Sequence, residues 1–122
     1  MENIAIRKTK DFALGNCPVV YCMNIIGGKW KPSIIHSIRT GGNRYSILLK
    51  NITEISKQTL TNQLRELETD GIIERTIYAE IPPRVEYTIT EFGKTILPII
   101  DSMYQWGIQN MKMDKKGYCD EQ

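Results

Sequence analysis

The sequence predicts a mainly helical α+β domain, and three observations carry that prediction. Two short stretches of helical periodicity flank a tight turn, and the second begins at a serine suited to cap it, Ser56. Beyond Gly71 the pattern changes to β-branched and aromatic alternation, with Pro82-Pro83 between two such stretches. A final helical stretch then carries a broad apolar stripe towards the C-terminus. With 122 residues, 41% hydrophobic and 25% charged, the chain has the size and balance of one folded domain. It is expected to span 1–122, with a polar arm over 1–15 and a polar tail over 112–122.

In chain order, Pro18 suits a first helical position, because its missing N–H has no partner there in any case, and Gly27-Gly28 stops a short helix over about 18–26. Between Lys29 and Arg39, the spacing of Trp30, Ile34, Ile35 and Ile38 gives one buried helical face, and Gly41-Gly42 ends it. Trp30 is read as core rather than as a stacking platform. Tyr45, Leu48, Leu49 and Ile52 mark a third helix. Ser56 caps a fourth running to about Thr69, with Gly71 as its stop. Residues 72–78 and 85–89 read as strands, and the two prolines, which cannot donate ladder hydrogen bonds, place the hairpin tip between them. Thr90 caps the next helix, Gly93 and Pro98 weaken or kink it, and the chain continues helically to about Met111. Two helices about a tight turn, with a two-stranded ribbon after them, make a winged helix-turn-helix.

The net charge of +2 conceals an uneven distribution. Residues 29–65 hold seven bases against Glu54 alone, whereas residues 66–122 hold six bases against eleven acids. A basic segment of this kind neutralises phosphates and releases their counterions; the plain alternative is a solvated basic face. The fourth helix sharpens the choice. At 100° per residue Leu60, Leu64 and Leu67 fall within about 40° of one direction, and Gln58, Thr61, Asn62, Arg65 and Thr69 lie on the other side. Asn and Gln pair with adenine in the major groove, Arg pairs with guanine, and Thr meets a thymine methyl. The candidate DNA-binding residues are therefore Lys29, Lys31, Arg44, Ser56, Lys57, Gln58, Thr61, Asn62, Arg65 and Arg84. Lys29, Lys31 and Arg44 are assigned to phosphates, and Arg84, the base of the hairpin tip, to a phosphate or a minor groove.

Other chemistries find less support. One histidine, His36, offers no Ser/His/Asp or Cys/His arrangement, and neither glycine pair lies in a phosphate-loop pattern, so an enzyme is not expected. No cofactor is expected. Cys17 and Cys22 do not have Cys-x-x-Cys spacing, so neither is a metal site. Three cysteines, no stretch approaching the ~20 apolar residues of a membrane span, and an N-terminus unlike a secretory signal suit free thiols in the cytoplasm, away from any membrane. The stripe of Ile99, Ile100, Met103, Tyr104, Gly107, Ile108 and Met111 exceeds what a small reader core covers, which points to a homodimer interface. The rival reading is a winged helix used for protein–protein contact without DNA.

The strings Cys17-Pro18, Ile25-Ile26-Gly27-Gly28-Lys29-Trp30 and Arg44-Tyr45-Ser46 resemble the HxlR family of winged helix-turn-helix transcription regulators. So do Ile55-Ser56-Lys57-Gln58-Thr59-Leu60-Thr61, Leu64-Arg65-Glu66-Leu67-Glu68, Asp70-Gly71-Ile72-Ile73-Glu74-Arg75, Pro82-Pro83-Arg84-Val85-Glu86-Tyr87 and Thr88-Ile89-Thr90. The resemblance spans about 16–108 and implies a homodimer built through the N- and C-terminal helices. It implies binding to double-stranded DNA at a pseudo-palindromic operator, with the helix from Ser56 to Thr69 in the major groove. The wing tip, Glu80 to Arg84, would reach the flanking minor groove. Cys17 matches a position that senses oxidants or electrophiles in some members, and the positive end of a helix favours a thiolate. Cys22 is read as core and Cys119 as a candidate resolving thiol. A small-molecule effector stays open. Tyr45 and Ile47 depart from the family pattern, which has Phe and an acidic residue at those places.

Overall fold

The computed structural model describes residues 17–111. The arm, the tail and Cys119 lie outside the described residues. Among the described residues, six helices and one hairpin occur in the expected order. Helix α1 spans Pro18–Ile26, α2 Lys31–Arg39, α3 Tyr45–Asn51 and α4 Lys57–Thr69. Strands β1 (Ile73–Tyr78) and β2 (Arg84–Ile89) come next, then the one-turn α5 (Glu91–Lys94) and α6 (Leu97–Asn110).

The caps explain most of the boundaries. The Ser56 hydroxyl accepts the Thr59 N–H at 3.0 Å, and Thr90 does the same for Gly93 at 2.8 Å. Each fills one of the donors that a helix start leaves unpaired. Gly71, at φ +79°, turns the chain out of α4 in the left-handed conformation that glycine adopts without strain. The expected kink resolves into two helices: α5 closes at Lys94, and Pro98 sits in the first turn of α6. Gly93 has a packing role as well, since a Cβ there would strike the Ile72 carbonyl.

One core joins the helices to the base of the hairpin. Ile34, Ile35, Leu48, Leu60 and Leu67 are fully buried, with Ile26 and Ile72 almost so. Trp30 packs at the edge of this core, half-buried. The hairpin is antiparallel, pairing Ile73 with Ile89 at its base and Tyr78 with Arg84 at its tip. At its base Ile73 and Tyr87 are buried in the core and Val85 of β2 packs against it; β1 is exposed from Glu74 onward. A third piece joins this sheet. The Tyr87 N–H donates to the Asn43 carbonyl at 2.9 Å, and Arg44 bridges to Glu86. The turn before α3 is thereby tied to the wing, a long-range pairing that no local pattern announces.

Helix α6 is held to α2 along its first half only. Ile100 is buried, Arg39 donates to the Asp101 carboxylate at 2.7 Å, and the Tyr104 ring stacks on His36 at 5.9 Å. Beyond that point its apolar side chains face outward. Among the described residues no helix is long and apolar enough to cross a membrane.

Candidate nucleic-acid interface

The leucine stripe of α4 faces inward, so the opposite face of the helix is set by geometry. Lys57, Gln58, Asn62, Arg65 and Thr69 are exposed, and Thr61 is half-exposed at the edge of that face. Ser56 is exposed too, but its hydroxyl serves the cap and donates to the Thr59 hydroxyl at 2.9 Å. The structure thus brings five exposed side chains capable of base or phosphate contacts, with Thr61 at their edge, onto the outer surface of a rigid helix.

The wing extends this side through a chain of charges. Glu86 on β2 accepts from Arg84 at 2.6 Å and lies 3.6 Å from the Arg44 guanidinium. Glu80, at the tip, takes Arg84 from the other side at 2.9 Å. The guanidinium also lies over the Tyr78 ring, 4.0 Å from its centroid. The hydrogen bond that Arg84 donates to Glu80, with Glu86 adding to it against a smaller desolvation effect, holds the Arg84 guanidinium above its already high ordinary value. Arg84 is therefore pre-positioned by two carboxylates rather than free, an arrangement that the residue type alone did not announce. Beyond it, Ile81 is fully exposed at the tip, an apolar side chain of the kind that wedges between bases.

Two of the expected phosphate contacts are placed elsewhere. Lys31 is 4% exposed, and its ammonium donates to Glu66 on α4 at 2.6 Å. It ties α2 to α4, and its burial corrects the expectation of a phosphate contact. The sequence placed Lys31 in a basic segment, but the helical turn points it towards a carboxylate 35 residues away. Lys29 is exposed, with its ammonium over the Trp30 ring at 4.7 Å. It borders the groove between α2 and α6 rather than the α4 and wing surface.

The apolar stripe of α6 also divides. Ile99, Met103 and Ile108 are exposed, as expected of an uncovered face. Ile100 instead belongs to the chain's own core, and Tyr104 is engaged by His36. Gly107 has open space around it and Met111 is half-buried. Trp106, at 68% exposure, is the largest apolar side chain on α6 left uncovered, and the broad apolar stripe read from the sequence does not include it. Val19, Tyr21 and Met23 of α1 are exposed as well. Cys17 is exposed at the N-cap of α1, and Cys22 lies half-buried against the core.

A family model described as HxlR-like helix-turn-helix matches residues 25–115. The chain belongs to the HxlR-like helix-turn-helix family. Among curated relatives it is 44% identical over 94 residues to the uncharacterized HTH-type transcriptional regulator YybR of Bacillus subtilis, covering 77% of this chain and 75% of YybR. Among solved structures it is similar to the redox regulator HypR in its oxidized form, at 44% identity and a TM-score of 0.74. That match covers 77% of this chain and 97% of HypR. The diamide-treated YodB of B. subtilis is 32% identical, with a TM-score of 0.65, covering 79% of this chain and 96% of YodB. This HxlR-type chain is thus a winged helix-turn-helix protein of a transcription-regulator family.

The pairing of Lys31 with Glu66 gives an asymmetric pair of stability effects. Glu66→Ala strands a buried ammonium without this carboxylate and is expected to cost about 3 kcal/mol. Lys31→Ala is expected to cost less, because the Glu66 side chain is 40% exposed and turns to water. Urea unfolding of the two variants measures the difference.

Proposed function

We propose that this chain is a sequence-specific DNA-binding regulator acting as a homodimer on a pseudo-palindromic operator. The observation that carries the reading is the outward face of α4, where Gln58, Asn62 and Arg65 stand exposed opposite the buried leucines. In this reading α4 enters the major groove, with Thr61 beside those three. Lys57 and Arg44 meet phosphates, and the wing carries Arg84 to the flanking minor groove. Lys29 is assigned a phosphate outside this surface, and Ser56 acts through the cap. The whole of 1–122 would serve as one domain in the cytoplasm, with no catalytic role.

The expected behaviour in binding assays is specific. The affinity for a selected duplex falls steeply as salt rises. Arg65→Ala costs about 1–3 kcal/mol on the preferred site and little elsewhere, whereas Lys29→Ala weakens all duplexes alike. Glu80→Gln releases Arg84 from one carboxylate and steepens the salt slope by about one. Absence of binding to any duplex at low salt overturns the reading in favour of a protein-contact module.

The dimer is proposed to form through α1 and α6, whose exposed Val19, Met23, Ile99, Met103, Trp106 and Ile108 need a cover. A second copy offers the same apolar face, as a two-fold interface requires. Trp106→Asp is expected to shift the sedimentation of the protein to that of a monomer at micromolar concentration and to weaken operator binding.

Cys17 is proposed as a thiol sensor, on its exposure at the N-cap of α1 and on the likeness to HypR, a redox regulator. Diamide is expected to change operator binding by the wild type and to leave Cys17→Ser unaffected. Identical responses of the two proteins remove Cys17 from that role.

A further inference from the structure

The Tyr45 phenol connects the two helices of the helix-turn-helix. From the first residue of α3, its hydroxyl lies 3.1 Å from the Lys57 carbonyl and 3.2 Å from the Thr61 hydroxyl. Lys57 and Thr61 are one helical turn apart, so a single phenol holds the first turn of α4. A phenol has one proton, and a carbonyl can only accept. The Tyr45 proton therefore goes to the Lys57 carbonyl, and at the second contact the Tyr45 oxygen accepts the proton of Thr61.

This assignment limits what Thr61 can offer a base. Its only hydroxyl proton is engaged inside the protein, so donating to guanine N7 or O6, adenine N7 or thymine O4 would break the contact with Tyr45. Its methyl group takes no part in either hydrogen bond, and the apolar partner in the major groove is the thymine C5 methyl. The Phe that the family pattern has at this place has no hydroxyl, so the constraint belongs to this chain's own Tyr45.

We propose that Tyr45 is a positioning residue for base reading. It commits the Thr61 hydroxyl and thereby makes the preferred site include a thymine that is read through its methyl group. This inference rests on the DNA-binding reading above.

The test uses the full chain and a duplex selected from a random pool. Each thymine of the selected site is replaced in turn by uracil, which removes only the C5 methyl. Wild type is expected to lose about fourfold in affinity at one position, the effect of one methyl leaving a buried contact. Thr61→Val keeps a methyl at the same place and retains that ratio. Thr61→Ser lacks the methyl and shows a ratio of one. Tyr45→Phe frees the Thr61 side chain, and the ratio falls towards one while thermal unfolding shows the variant still folded. A flat uracil scan on a duplex that wild type binds specifically overturns the inference alone. So does an unchanged ratio in folded Tyr45→Phe. Failure of wild type to bind any duplex overturns the DNA-binding reading itself, and the inference with it.

Discussion

The burial of Leu60, Leu64 and Leu67 against the isoleucines of α2 and Leu48 of α3 fixes the direction in which α4 faces, and the site is built on that constraint. Each of these leucines is worth about 1.5–3 kcal/mol out of water, so the helix has no comparably stable alternative rotation. The opposite face is then outward of necessity. Other contacts refine this orientation rather than create it. Ser56 defines where the helix begins, Lys31 binds Glu66 along its length, and Tyr45 holds its first turn. The proposed base-reading surface needs side chains fixed on a rigid element, and the core supplies that rigidity.

The wing is attached to the same frame by backbone and by charge. The Tyr87 N–H to Asn43 bond joins the strand to the turn that starts α3, and Glu86 stands between Arg44 and Arg84. The acidic residues of this half therefore do more than balance the basic segment. They orient arginines whose planar fork suits a phosphate as well as a carboxylate. A phosphate approaching the tip competes with Glu80 and Glu86 for Arg84. The net charge of the chain thus says little about the local field at the proposed interface.

The two apolar faces of α1 and α6 lie outside the reader core, and no sensor domain separate from the reader is evident among the described residues. Cys17 lies exposed at the start of α1. In α6, His36, Arg39 and the core hold the first half, and Trp106 is left outside.

The sequence by itself determined the elements, their order and the family, because those depend on local information. Serine and threonine caps, glycine and proline stops, and the change of period after Gly71 mark elements wherever they fall in space. The face of α4 was legible for the same reason, since three leucines at helical spacing define a direction. What only the tertiary structure decided was the fate of single charged and apolar side chains. Lys31 was a phosphate candidate by composition and became a buried partner of Glu66, because the distance between residues 31 and 66 is set by the fold. Arg84 proved to be held by two carboxylates, Ile100 to belong to the core, and Trp106 to stand outside it. That Tyr45 departs from the phenylalanine of the family pattern is visible in the sequence, but the place of its hydroxyl between Lys57 and Thr61 is set by the fold. Periodicity says which side of a helix is inside, but which partner a side chain meets there depends on how distant segments pack.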